Sequence, residues 1–251
     1  MQLIRSLLFN IQMYVAMFLL FCWFTPVAIF HRPAAYAAIR TYCRYVRWSA
    51  AWMIGLKSEI RGTVPQGELI IAAKHQSFFD IILICSVIPA PRFIAKKELR
   101  RTPMLGWYAR RVGCVFVDRG KRGKAIQDMV AGVTDPEAPK GQLVIYPQGT
   151  RVAAGADKPY KTGVGALYTR LGQTCVPAAT NVGVFWPRSA VLRKPGLAVV
   201  EFLDPLGPDL SIEAFMAEIE TRIETASDAL MAEAGFDAPA ARAAGRTASA
   251  E

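Results

Sequence analysis

Histidine is scarce in this chain, with His31 and His75 the two among 251 residues. Charge is missing altogether from residues 6–30, and acids are few through residue 200, where 9 Asp and Glu face 27 Lys and Arg. The five cysteines (Cys22, Cys43, Cys85, Cys114 and Cys175) include no Cys-x-x-Cys pair and no cluster with histidine at zinc spacing. That argues against a zinc module, a redox dithiol and a disulfide framework, and no metal site is expected. An odd, scattered set of thiols fits a reducing cytoplasmic face, with Cys85 and Cys114 read as buried. No Gly-x-Ser-x-Gly elbow occurs, and the globular part has no second histidine to activate a nucleophile, which argues against a serine or cysteine hydrolase.

Apolar residues, by contrast, are plentiful: 53% of the chain, with a mean hydropathy of +0.23. The uncharged stretch at 6–30 is long enough to cross a hydrocarbon core of about 30 Å. Asn10, Gln12, Thr25 and Pro26 interrupt it, and no small-x-small site closes it as a signal peptide would. Residues 36–56 follow as a basic amphipathic stretch: Arg40, Arg44 and Arg47 share one helical face, and Tyr42, Tyr45, Trp48 and Trp52 are interfacial aromatics. Three readings stand. The first segment spans and the second lies on the surface, or both dip into one leaflet as a hairpin, or the first is a core helix.

The charge is also polarised. Residues 201–251 carry 11 acids against 3 basic residues, so the net +10 hides a strongly basic body and an acidic tail. A basic body calls for an anionic partner: membrane surface, phosphorylated ligand or nucleic acid. No recognisable nucleic-acid module accompanies the charge, and the membrane segment argues against that partner. A non-catalytic peripheral protein that binds anionic lipid is a further reading, and it predicts lipid binding that high salt abolishes.

From residue 59 to 235, short β-branched or aromatic runs (69–73, 92–95, 114–117, 143–146, 174–178, 197–202) alternate with helical patterns (78–87, 104–112, 121–133, 163–171). This predicts an α/β domain with a largely parallel or mixed sheet flanked by helices, behind an N-terminal helical membrane module over 1–58. Residues 211–234 read as an amphipathic helix with Ile212, Phe215, Ile219, Ile223 and Leu230 on its stripe. Residues 236–251 read as a disordered tail.

His75 falls where a strand gives way to a helix, the edge at which α/β folds place ligands. Asp80 stands five residues on, one turn into the helix. A carboxylate on one imidazole nitrogen fixes the tautomer and leaves the other nitrogen to take a proton from an alcohol. Equally, Ser77-Phe78-Phe79-Asp80 matches a capping box in which Asp80 only satisfies backbone donors. Two other strand ends carry anion-binding chemistry. Tyr146-Pro147-Gln148-Gly149-Thr150-Arg151 offers a glycine, a hydroxyl and a guanidinium that can grip phosphate bidentately. Val117-Asp118-Arg119-Gly120 ends another strand, and residues 92–124 hold 11 basic and 2 acidic side chains, Lys96 among them.

In order, K-H-Q-S-F-F-D, A-K-K-E-L with P-M-L-G, G-C-V-F-V-D-R, Y-P-Q-G-T-R and V-P resemble the glycerolipid acyltransferases, most closely the bacterial lysophosphatidate acyltransferases, over residues 60–205. The resemblance implies a mixed sheet with flanking helices and a basic groove meeting the bilayer. It implies His75 as general base and Asp80 as its orienter. Lys96, Arg151 and Arg119 become acceptor-phosphate ligands, with Gln148, Gly149 and Thr150 in the acceptor site. Pro177 matches a later motif tied to the acyl donor or to structure. The activity implied is transfer of an acyl group from an acyl-carrier protein or coenzyme A thioester to the sn-2 hydroxyl of 1-acyl-sn-glycerol-3-phosphate, with no cofactor. The place implied is the cytoplasmic side of the inner membrane, on anionic lipid. One departure stands out: the family's P-E-G-T-R reads P-Q-G-T-R here, so Gln148 has no charge for proton transfer yet can still bind hydroxyls. An altered acceptor, such as a lyso-ornithine lipid, therefore remains an alternative.

Overall fold

The structure, a computed structural model, describes residues 1–118 and 122–248. Its first two elements are long helices, α1 (Gln2–Phe30) and α2 (Arg32–Ile54), hinged at His31 with an extended backbone. Helix α1 runs on through Pro26, with the Thr25 hydroxyl turned back to the Phe21 carbonyl. Gly55 stops α2 in the left-handed region at φ +70°, where a glycine avoids the Cβ clash.

Strand β1 (Leu56–Arg61) follows at once, a sheet strand that the expected boundary at residue 58 would have cut. Next come β2 (Leu69–Ala73), α3 (Phe79–Val87), β3 (Pro91–Lys96), a 3-10 turn (Lys97–Arg101), α4 (Leu105–Arg111) and β4 (Val115–Val117). After these stand α5 (Arg122–Thr134), β5 (Gln142–Ile145), α6 (Gly163–Leu171), β6 (Cys175–Thr180), α7 (Val182–Phe185) and β7 (Gly196–Phe202). Helices α8 (Ile212–Glu233) and α9 (Ala238–Ala248) complete the described chain. The seven strands form one mixed sheet in the order β1-β7-β6-β2-β5-β3-β4, parallel throughout except between β6 and β7.

Alternation along the strands sorts the core into two layers. From β2, Leu69, Ile71 and Ala73 join the cluster that includes α1, α2 and α3, while Ile70 and Ala72 join the cluster of α5, α6 and α8. Both faces of the central strands are therefore covered, which is why β2 is buried along its whole length. On α8, Phe215, Ile219 and Ile223 are fully buried, each contributing about 1.5–3 kcal/mol of apolar transfer. Ile212, expected on the same stripe, sits exposed at the helix start. The segment expected to be disordered is helical over Ala238–Ala248, held where Arg242 pairs with both Asp157 and Asp228. Its alanine-rich composition favours a helix, and the ion pairs fasten that helix to α8 and to the loop that carries Asp157.

Three of the four arginines of α2 are engaged by neighbouring carbonyls and hydroxyls, although Arg44 stays exposed. Arg40 donates to the Pro89 carbonyl, Arg44 to the Ser86 carbonyl, and Arg47 to both the hydroxyl and carbonyl of Ser58 and to the Ser86 hydroxyl. Cations at the C-terminal end of α3 satisfy carbonyls that helical bonding leaves open. Trp48 and Trp52 instead point outward, as does one side of α1 along its length from Leu3 to Phe30.

Candidate active site

The chain reverses direction between β2 and α3, and the reversal is tied down on every side. Lys74 N–H donates to the Ala178 carbonyl, Val152 N–H to the His75 carbonyl and Gly183 N–H to Oε1 of Gln76. Within the turn, Asp80 is fully buried. Its Oδ2 accepts the backbone N–H of Gln76 at 2.9 Å and of Ser77 at 2.7 Å, while Oδ1 lies 3.0 Å from Nδ1 of His75. Asp80 is thus both turn anchor and imidazole partner: Oδ2 takes both backbone N–H groups and also lies 3.2 Å from Nδ1, while Oδ1 makes the shorter contact to the imidazole. Ser77 Oγ takes Phe79 N–H at the helix start.

The imidazole is stacked on Tyr146, centroids 3.9 Å apart, and the Tyr146 hydroxyl donates to Asp80 Oδ1 at 3.4 Å. Burial and the adjacent Asp80 charge push the Tyr146 phenol well above its usual range, so it stays a neutral donor. With Nδ1–H held by a carboxylate, Nε2 is left as the basic nitrogen, and it has no protein partner among the described residues.

His75 opens on a cavity of about 570 Å³. Its polar lining is mostly basic, with Lys96, Thr150, Arg151 and Arg188 beside the single acid Glu98; the rest is apolar, with Phe21 from α1, Ile39 and Cys43 from α2, Ile82 and Cys85 from α3, and Phe93 from β3. The polar residues lie far apart in sequence but meet because β2, β5 and β3 are neighbours and all end on the same side. Ligand sites in open α/β sheets lie at those carboxyl ends.

Lys96, Thr150 and Arg151, named as candidates from the sequence, line the same cavity as His75. Gln148 and Gly149 do not line it. Gln148 is buried with Nε2 donating to the Lys158 carbonyl, and Gly149, at φ +68°, shapes the turn against Lys161. Arg119 lies outside the described residues. The Gln76 and Ser77 N–H groups are not open to a ligand, because Asp80 takes both.

Sequence reasoning missed Glu98 and Arg188 on the wall. It also missed Lys74, whose ammonium is 2% exposed and lies 2.6 Å from both oxygens of Glu224 on α8, which the Tyr160 hydroxyl also reaches. The only sequence sign of that pair is a lysine adjoining an apolar strand.

An imidazole held by a buried carboxylate, lining a largely apolar cavity together with cations, is an arrangement suited to acyl transfer on an α/β scaffold. The Acyltransferase family profile matches residues 56–181, half of the chain, and the chain belongs to that family. It is 27% identical over 242 residues to the 1-acyl-sn-glycerol-3-phosphate acyltransferase of Pseudomonas aeruginosa, covering 92% of each chain. It is also 27% identical over 158 residues to the lyso-ornithine lipid O-acyltransferase of Brucella abortus, 62% of this chain and 57% of the relative. Among solved structures, the 1-acyl-sn-glycerophosphate acyltransferase PlsC of Thermotoga maritima has the same fold: TM-score 0.77 at 21% identity, over 92% of this chain and 98% of the other.

Proposed function

We propose that this acyltransferase moves a fatty acyl group from an acyl-carrier protein or coenzyme A thioester to the sn-2 hydroxyl of 1-acyl-sn-glycerol-3-phosphate, forming phosphatidic acid. The observation that carries this reading is the His75–Asp80 pair, with His75 facing an apolar cavity beside Lys96 and Arg151. His75 Nε2 accepts the hydroxyl proton as the oxygen attacks the thioester carbonyl. The tetrahedral adduct expels the thiolate, which takes that proton back from the imidazolium. Lys96 and Arg151 hold the acceptor phosphate and so place its hydroxyl near the base. Thr150 and Arg188 are further donors in the cavity lining. No cofactor enters the scheme.

The bilayer is reached through α1, which we place along one leaflet rather than across it. A helix of 29 residues is about 43 Å long. At its start Gln2 donates to the carbonyls of Ile54 and Arg193, and at its end Arg111 donates to those of Ala28 and Ile29. Both ends are thus fastened to one α/β body, which a spanning helix would have to carry through the membrane. The unburied side of α1, from Ile4 to Phe30, is left for lipid tails. The body then faces the cytoplasm at the inner membrane.

Purified His75→Ala, reconstituted with lysophosphatidate and either thioester, should bind vesicles normally and yield no phosphatidate by mass spectrometry; full turnover would refute the assignment. A second acceptor, lyso-ornithine lipid, draws support from the Brucella relative. Arg151→Ala should cost the phosphorylated acceptor at least tenfold more than a phosphate-free one.

A further inference from the structure

Away from the cavity that holds His75, a shallow recess lies between α2 and β1, lined by Arg44, Arg47, Lys57, Trp48 and Ser58. Its electrostatics are unbalanced. Helix α2 contains four arginines and no acidic residue. Among the described residues, no carboxylate pairs with Arg44, Arg47 or Lys57. Glu59, two residues from Lys57 along the same strand, is turned to Arg61. Arg47 is half-buried with every guanidinium nitrogen bonded to Ser58 or Ser86, so it cannot swing away to find a counterion. Burial, and then the neighbouring Arg44 charge, hold its affinity for a proton below the ordinary arginine range. Cations kept close with no anion between them repel one another, and the cost falls when an anion enters. Arg44 spends Nε on the Ser86 carbonyl and keeps its other two nitrogens for a ligand; Lys57 is exposed.

We infer that this recess is an accessory binding site for the phosphate of an anionic membrane glycerophospholipid, separate from the catalytic cavity. The occupant is a bilayer lipid rather than a free anion because of what surrounds the recess. Trp48 forms its wall, stands edge-on to Trp52 at 5.9 Å and lies 5.8 Å from Tyr45; both tryptophans are largely exposed. Tyr45 in turn donates to Gln12 of α1, so the aromatic group flanks the helix assigned to the lipid tails. Tryptophan and tyrosine settle at headgroup depth, which puts Arg44 and Lys57 level with lipid phosphates. The site rests on the placement of α1 in one leaflet. It would hold the catalytic mouth in a fixed orientation on anionic membrane.

The test compares flotation of the full chain with vesicles of phosphatidylcholine alone and of phosphatidylcholine mixed with phosphatidylglycerol. Wild type should bind both and the anionic vesicles more tightly, with roughly fivefold in affinity for each cation engaged. The double variant Arg44→Gln/Lys57→Gln should lose most of that gap, keep wild-type binding to neutral vesicles and keep wild-type turnover of acceptor in detergent micelles. Arg44→Lys should retain most of the gap. A charge-matched control, Lys140→Gln/Arg170→Gln, should retain all of it, and inorganic phosphate should compete no better than chloride at equal ionic strength.

An undiminished gap in the double variant would overturn the site. So would an equal loss in the control, which would mean diffuse charge, or selective competition by inorganic phosphate, which would mean a free-anion site. Wild type that floats with neither vesicle would overturn the leaflet placement and the site with it, whereas failure of the catalytic reading alone would show in micelles and leave flotation unchanged.

Discussion

Replacing Asp80 by asparagine separates the two tasks that its carboxylate performs. An asparagine oxygen in the place of Oδ2 can still accept the Gln76 and Ser77 N–H groups. The turn should therefore persist at the cost of exchanging two charge-assisted bonds for neutral ones, about 1 kcal/mol each. Over a chain of 251 residues that is a fall of roughly 4–8 °C in Tm. The amide NH2 then occupies the place of Oδ1, 3.0 Å from His75 Nδ1. Two donors cannot face each other, so the imidazole moves its proton to Nε2 and offers Nδ1 as acceptor. The nitrogen that should take the hydroxyl proton is then already protonated. Loss of the tautomer in a Ser-His-Asp triad lowers kcat about 10⁴-fold, and a comparable 10³–10⁴-fold loss is expected here, about 4–5.5 kcal/mol of barrier. The assay is single-turnover acyl transfer in vesicles with saturating thioester, run beside thermal unfolding and vesicle flotation. Activity within tenfold of wild type, or a loss no larger than the unfolded fraction explains, would refute the role given to the carboxylate.

Other perturbations probe other parts of the molecule. Glu224→Gln leaves the Lys74 ammonium buried without its counter-charge and should cost about 3 kcal/mol, or roughly 6–12 °C in Tm, while Lys74→Met/Glu224→Leu should recover much of it. Burial pushes the Cys114 thiol up to about 12. Its thiolate is then about a thousandfold scarcer at pH 8 than a free thiol's, and native-state alkylation should quicken about tenfold per pH unit toward that value. Exposed Cys22 on α1 should react with water-soluble maleimide in the free protein and be shielded once vesicles are added. Gly62→Ala would bring a Cβ within 1.9 Å of the Phe202 carbonyl at a position where φ is +74°, and should lower yield and Tm sharply with no direct effect on the site.

How much of this was legible in the sequence depends on whether a feature is local. The strand–turn–helix around His75 was readable because apolar runs, a turn and an acid five residues on lie in one short stretch. Lys96, Thr150 and Arg151 were readable only through the order of several weak motifs, since the neighbourhood of β2, β5 and β3 in the sheet is a tertiary fact. Strand β1 was missed because its one fully buried residue, Leu56, gives too little alternation to stand out after a long amphipathic helix. The destination of the α2 arginines was also hidden: a basic helical face reads alike whether it meets water, lipid or the carbonyl end of another helix. Gln148 shows the opposite failure. Its motif position implied a ligand contact, whereas its side chain turns to the Lys158 carbonyl and supports the loop that carries Arg151.

The cavity explains why the membrane helices and the catalytic sheet act as one unit. Met17 and Phe21 of α1 and Ile39, Tyr42 and Cys43 of α2 contribute to its apolar lining, and His75, Lys96 and Arg151 to its polar lining. Phe21 packs on Tyr108 of α4, whose hydroxyl returns to the Phe21 carbonyl, and Arg111 of the same helix closes the end of α1. In the proposed reaction the lipid acceptor leaves the bilayer only as far as its own hydroxyl: its single acyl tail stays among apolar side chains while its phosphate meets the cations of the cavity. Had the helical module been a detachable anchor, the acyl chain would have needed a separate pocket within the sheet domain. In the proposed scheme the same two helices supply both the lipid-facing surface and part of the cavity wall beside the acyl chain, so altering their packing should change chain selection and membrane attachment together.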